Sequence, residues 1–287
     1  METKTIIITG GNSGLGFETA KNIAGKSDEY FVILACRNFE KGISAAEKIK
    51  NETGNQNICS MELDLASLKS VRNFAEKIKT PIYALDNNAG ISGSKTDNQI
   101  TVDGFDIIFQ SNHLGHFLLT NLLLPLMSED SRILNISSDM HNPPYGALVW
   151  NGTEYLAHPT ENLGNERYFY SKLCNLYFTY ELDRKLKEKK SNISCNAFNP
   201  GFMPDTNLNS MPQSVIDEVK TKMPERLGSL SVSSKAAAKL LTEKEFSHVS
   251  GKYFSMSTTP VKSSELSYNL ENARELWKIS SKFSGLN

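Results

Sequence analysis

Short runs of apolar and β-branched residues alternate with longer stretches of helical periodicity along the whole chain. Strands are expected at 4–9, 30–36, 57–63, 82–87, 131–137, 192–198 and 251–255. Helices are expected at 14–25, 39–51, 67–79, 104–127, 168–190, 232–243 and 269–283. Strands that alternate with helices build parallel sheets. The strand runs are mostly apolar rather than alternating, as in strands that helices cover on both faces. The spacing predicts an α/β fold, a doubly wound parallel sheet of about seven strands flanked by helices. Pro125 closes one helix and Pro81 precedes a strand. With no repeat or linker, residues 1–287 read as a single domain.

Composition narrows the function. The 31 basic and 32 acidic side chains nearly cancel, which argues against nucleic acid or a charged membrane as partner. Cysteines 36, 59, 174 and 195 lack Cys-x-x-Cys spacing, so neither a zinc site nor a disulfide framework is expected. No run approaches the length of a membrane span and no signal peptide precedes the first strand. The chain reads as soluble and cytoplasmic.

Two stretches have no place in the sheet. Residues 139–167 hold Tyr145, Trp150 and Tyr155 among prolines and glycines; residues 202–231 hold Phe202, Met203, Leu208, Met211 and Met223. Both follow strand ends, beyond which ligands bind in open α/β sheets. They are expected to wall a pocket for an apolar small molecule; the alternative is surface loops.

The first strand, with Ile6-Ile7-Ile8, runs into Thr9-Gly10-Gly11-Asn12-Ser13-Gly14-Leu15-Gly16 and then a helix. A glycine turn there lets backbone N–H groups reach a pyrophosphate at the helix N-terminus. An acid at the end of the second strand would favour NAD, since it accepts a ribose 2′-hydroxyl and repels a 2′-phosphate. Here Leu34-Ala35-Cys36-Arg37-Asn38 has none, and Arg37 offers a planar charged fork. That points to NADP, unless Arg37 is merely a solvated arginine. Asp64 and Leu65 close the third strand, where Asp64 would hold the adenine amino group or cap a helix in competition with Ser67. Asn88-Ala89-Gly90 close the fourth. Small residues there let the backbone pass the cofactor, and Asn88 is suited to bridging strands.

Tyr168 and Lys172 stand four apart at a helix start, on one face. A free phenol, with a pKa of about 10, is a poor base, but neighbouring cations favour phenolate. Such a tyrosine serves as acid or base for a carbonyl/alcohol pair. Ser137 and Ser138 end the fifth strand, where a hydroxyl stabilises a developing alkoxide. Asn112, polar within an apolar helix, suggests a helix distortion or a buried hydrogen bond. His113 and His116 lack a third ligand at suitable spacing, so no metal site is expected and packing or surface roles are preferred.

Together these residues resemble the short-chain dehydrogenase/reductase family, whose fold is Rossmann-type. The markers are Thr9-Gly10-x-x-x-Gly14-x-Gly16, Asp64, Asn87-Asn88-Ala89-Gly90, Asn112, Ser138, Tyr168-x-x-x-Lys172 and Pro200-Gly201. The resemblance implies hydride transfer between C4 of NAD(P)H and a carbonyl or alcohol carbon. It makes Tyr168 the acid–base and Lys172 its partner on the nicotinamide ribose. Ser138, rather than Ser137, would orient the substrate, and Asn112 would hold a water that links Lys172 to solvent. Thr206 would meet the nicotinamide, in competition with Asp205.

Within the family the chain is similar to the retinol dehydrogenase and protochlorophyllide reductase branch. Ala35-Cys36-Arg37-Asn38, Asn112-His113-Leu114-Gly115-His116-Phe117 and Tyr168-Phe169-Tyr170-Ser171-Lys172 carry that likeness, as does the tail from Asn272. Members are usually NADP-dependent. The 29 residues between Ser138 and Tyr168 make a longer span than in many members. Phe202 stands where protochlorophyllide reductases carry a cysteine, which tells against photochemical C=C reduction.

A non-catalytic NADP-binding redox sensor or partner-docking protein is the competing reading. Relatives of that kind usually lose the tyrosine or the lysine, and both are present here. The stripe Leu114, Leu118, Leu122 and Leu126 is either core or the face of a homo-oligomer.

Overall fold

A computed structural model describes residues 3–92, 99–161, 163–204, 206, 208 and 212–286. The strands are β1 (Lys4–Thr9), β2 (Tyr30–Cys36), β3 (Ile58–Glu62), β4 (Ile82–Asn87), β5 (Met127–Ile136), β6 (Ser194–Asn199), β7 (Tyr253–Ser255) and β8 (Pro260–Val261). The helices are α1 (Gly14–Ala24), α2 (Phe39–Thr53), α3 (Leu68–Lys77), α4 (Ile107–Phe109), α5 (Gly115–Leu123), α6 (Thr153–Ala157), α7 (Glu166–Glu188), α8 (Gln213–Lys222), α9 (Leu230–Thr242) and α10 (Leu270–Ser284).

The sheet order is β3-β2-β1-β4-β5-β6-β7-β8, parallel throughout except for antiparallel β8. The chain winds outward from β1 in one direction and from β4 in the other. That reversal opens a crevice beyond the carboxyl ends of β1 and β4, where an α/β sheet takes its ligand.

Side chains alternate across a strand. Ile6 and Ile8 therefore join α1, α2 and α9 in one core layer, while Ile7 joins α3, α5 and α7 in the other. All three isoleucines are fully buried, which is why the run reads as continuously apolar. A third cluster lies under α6, α7 and α10.

The structure departs from the sequence expectations in four places. The helix expected at 104–127 is broken into α4, a π turn at Gln110–Leu114, α5 and a 3-10 turn at Leu124–Leu126. The Asn112 side chain pairs with the Ile91 backbone inside that π turn, and Pro125 supplies no N–H to extend α5. Second, β5 begins at Met127 rather than 131, because an irregular register carries the polar run 128–131 past β4. Third, 139–167 and 202–231 are not simple loops, since they contain α6 and α8. Fourth, β8 adds an eighth strand.

Leu114 and Leu118 are fully buried, and α10 lies across α5 and α7. Trp277 packs at 5.0 Å from Phe117 and 5.9 Å from Phe178, ring centre to ring centre. That half of the leucine stripe is core of this chain. The four cysteines are unpaired thiols. Among the described residues no helix is long and apolar enough to cross a membrane.

Candidate active site

The glycine turn is fixed by what its residues leave out. Gly10 and Gly14 have φ of +67° and +56°, the left-handed region open to glycine. A side chain at Gly16 would press within 2.5 Å of Asn88 Nδ2 and 2.9 Å of the Gly10 carbonyl. Ser13 precedes α1 without capping it, and the first turn holds no acid. The first N–H groups of α1, at Gly14, Leu15 and Gly16, thus have no side-chain cap, as an anion site requires. Burial pushes the Cys36 thiol up to about 11, an effect opposed by the nearby backbone N–H groups of Asn12 and Gly11.

The end of β4 closes over this turn. Asn88 Nδ2 donates to the Thr9 carbonyl at 2.7 Å, so Asn88 bridges β4 and β1. Ala89 N–H donates to Thr9 Oγ1 at 2.9 Å. A Cβ built on Gly90 would lie 3.5 Å from both Asn112 Oδ1 and Lys172 Nζ, so these two groups face each other across a bare backbone.

Asn112 Oδ1 accepts from Ile91 N–H at 2.8 Å, while Nδ2 donates to the Ile91 carbonyl at 2.9 Å and Ser171 Oγ at 3.0 Å. Both distortion and buried hydrogen bond are present at this residue. Its main-chain carbonyl is held by His116. Nδ1–H of His116 donates to that carbonyl at 3.1 Å, which leaves Nε2 to accept from the Thr9 hydroxyl at 2.9 Å. Burial keeps this imidazole neutral, with a pKa lowered to about 4. His113, lowered to about 3 by burial, reaches Ser280 at 2.9 Å instead. Among the described residues no three metal-ligating side chains converge.

Tyr168 and Lys172 share one face of α7, with the ammonium 5.3 Å from the ring centre. Lys172 is buried and donates to the Ile136 carbonyl at 3.1 Å; burial lowers its pKa to about 8. Burial pushes the half-exposed Tyr168's phenol above its usual value; a hydrogen bond with Ser138 opposes this and the charge of Asp139 adds to it. Ser137 is held elsewhere, donating to the Lys172 carbonyl at 2.8 Å. Ser138 is therefore the hydroxyl at the phenol. Next to it Asp139 pairs with Arg226, and His141 donates to the Ser138 carbonyl at 2.6 Å. The sequence reading missed these three; the one signal available was an acid directly after the strand-end serine.

The remaining candidates are placed less closely. Gly201, with φ of +80°, packs against Gly228, and the Pro200 carbonyl accepts from Ser233 at 2.7 Å. Thr206 lies against the glycine turn, its side chain 3.9 Å from a Cβ built on Gly14. Asp205 and Met211 fall outside the described residues. Asp64 Oδ1 accepts from Ala66 N–H at 3.0 Å, and Ser67 takes the cap of α3. Leu65 is buried, its carbonyl against Gly115. Arg37 is exposed just past β2, with no side-chain partner among the described residues. Of the expected pocket walls, the half-buried Trp150 stacks edge-on to Tyr177 at 5.1 Å, and the half-buried Met203 packs on the first core layer. Tyr145 and Leu208 are exposed.

A short chain dehydrogenase family model matches residues 4–150. Retinol dehydrogenase 13 of Homo sapiens is 36% identical over 99% of this chain and 85% of its own length. Some curated relatives are longer: the chain spans 49% of a WW domain-containing oxidoreductase from Gallus gallus. A solved structure from Mycobacterium Paratuberculosis matches at 30% identity and a TM-score of 0.79, covering 99% of this chain and 94% of that one. A Pseudomonas aeruginosa RhlG/NADP complex shares the fold at 19% identity and a TM-score of 0.70, over 90% of this chain and 96% of that one. The chain belongs to the short-chain dehydrogenase family, and is an oxidoreductase of that family.

Proposed function

We propose that this chain transfers a hydride between NADP(H) and the carbonyl or alcohol carbon of an apolar substrate. The observation that carries the reading is the meeting of Asn112, Ser138, Tyr168 and Lys172 beside an uncapped glycine turn. The turn fits a dinucleotide: two left-handed glycines, no acid in the first turn of α1 and no room for a side chain at Gly16. Arg37, exposed where an acid would select NAD, supports NADP. Thr206 beside Gly14, with Asn12, Asp64, Ala89 and Gly201 around the crevice, supports the same placement.

When bound, the dinucleotide supplies the hydride and, oxidised, a positive charge near the phenol. Tyr168, held protonated by burial, donates its proton to the oxygen of a carbonyl being reduced. Lys172, still mostly cationic at neutral pH, favours the phenolate left behind. Ser138 aligns the substrate oxygen. Asn112 Oδ1, with one lone pair on Ile91, keeps another for a water leading to Lys172. Retinol dehydrogenase 13 is named for retinol, and that likeness supports an apolar substrate here.

NADPH oxidation measured across aromatic and long-chain aldehydes and ketones tests the reading. Turnover with NADPH well above NADH is expected, with Arg37→Ala reducing that preference about tenfold or more. No turnover of any carbonyl, or equal rates with the two cofactors, would contradict it.

A further inference from the structure

The Ser138 hydroxyl has one proton, and in this structure it goes to Asp139. Oγ donates to Asp139 Oδ1 at 3.1 Å and accepts from Met140 N–H at 3.2 Å. The other carboxylate oxygen is held independently, since Arg226 Nε donates to Oδ2 at 2.5 Å. The pair is mostly shielded from water, with Arg226 16% and Asp139 26% exposed. A charge-assisted bond in such a setting fixes geometry as well as energy.

Arg226 is itself anchored. Its carbonyl accepts from Phe202 N–H at 2.8 Å, its N–H donates to the Met223 carbonyl at 3.0 Å, and Gly228 N–H returns to the Phe202 carbonyl at 2.9 Å. One residue thus ties the segment after Pro200-Gly201 to the acid beside the serine. From behind, His141 accepts from Ser264 N–H at 3.0 Å and donates to the Ser138 carbonyl.

We propose that Asp139 and Arg226 are a positioning pair: together they aim the Ser138 hydroxyl and set the electrostatic field at the Tyr168 phenol. This rests on the reading of Ser138 and Tyr168 as the reacting pair. With the serine proton on Asp139 and one lone pair on Met140 N–H, the other lone pair of Oγ is left for the tyrosine, which stays protonated until a substrate oxygen enters; the Ser138 O–H then turns from Asp139 to donate to that oxygen as the tyrosine gives up its proton. The charges facing the phenol are Asp139 from the turn after β5 and Lys172 from its own helix, and Arg226 from the distal segment sits on Asp139. His141 and Tyr253 are the neutral titratable neighbours. The carboxylate raises the phenol's pKa; by the proposal, the guanidinium paired with its other oxygen offsets part of that charge.

The two partners should therefore act in opposite directions. Asp139→Asn keeps the shape and leaves Arg226 alone, which lowers the Tyr168 titration by about 1 pH unit. Arg226→Gln leaves Asp139 alone and raises it by a similar amount. Arg226→Lys keeps the charge and restores the original value. The readout is NMR of Cζ-labelled tyrosine in the NADP⁺-loaded protein, with Tyr168→Phe assigning the signal and thermal melts certifying each variant as folded. Dinucleotide binding by the unsubstituted chain is measured first, so that a failure of the cofactor reading shows there and not in the shifts. Shifts of opposite sign with lysine rescue support the pair. Shifts of the same sign, no shift in either, or Arg226→Lys behaving like Arg226→Gln overturn it.

Discussion

Asp86 carries the least compensated charge-bearing group in the core. Its carboxyl is fully buried in β4, between Ile8 of β1 and Leu134 of β5, and neither oxygen has a partner among the described residues. Burial raises its pKa to about 8, so it is protonated in the folded protein at neutral pH. The unfolded chain releases that proton near pH 4. Between those values the folded state binds more protons, and stability falls as pH rises. Asp86→Val should stabilise the fold by about 1–3 kcal/mol at neutral pH, with a gain that grows from about pH 4 to about pH 8. Melting curves at the two ends of that window would check it. No sequence pattern exposed Asp86, because an acid in a strand reads as an edge or surface residue until its neighbours are known. Tyr168 and Lys172 were legible because four residues along a helix share a face whatever the tertiary context. The Asp139–Arg226 pair was not, since its members are 87 positions apart and only the fold joins them.

The helix that carries Asn112 and the one that carries Tyr168 are joined by a buried ion pair. Arg167, one residue before Tyr168, donates to Asp106 Oδ2 at 2.8 Å, with side chains 2% and 1% exposed. Asp106 Oδ1 caps α4, accepting from Ile108 and Phe109 N–H at 2.9 Å. This contact sets the start of α7 against the π turn. Arg167→Met should cost about 3–5 kcal/mol, because it leaves a buried carboxylate unpaired. Adding Asp106→Asn should recover much of that loss, since the amide oxygen still caps α4. Urea unfolding of the single and double variants measures the cycle. At this scale the sequence located elements well where period and boundary agreed, as in β1, β2 and β4, whose expected ends match the structure. It marked Asn112 as the site of a distortion but drew one continuous helix through it. The pattern from 104 to 127 is apolar and continuous, and only the partnership of Asn112 with Ile91 shows that the distortion is a π turn.

Across the molecule, function follows from where the sheet changes direction. The glycine turn after β1, the Asn88-Ala89-Gly90 end of β4, Ser138 after β5 and Pro200-Gly201 after β6 all lie at carboxyl ends of neighbouring strands. Helix α7 then lays Tyr168 and Lys172 across β5, with Lys172 on the last carbonyl of that strand. The alternation of strands and helices made this layout readable before any side chain was placed. The substrate walls were not readable, because aromatic residues look alike whether they line a pocket or fill a core. Trp150 packs half-buried against the third core cluster, and α6 and α8 are segments too short to stand out among prolines. In the proposed function Tyr168 moves the proton while the crevice binds the dinucleotide independently of it. The most direct test of that role compares the unsubstituted chain with Tyr168→Phe, measuring NADPH binding by fluorescence and carbonyl reduction by single-turnover absorbance. Binding within about twofold and reduction slowed by at least about 100-fold are expected. A Tyr168→Phe protein that reduces carbonyls at the original rate would contradict that role.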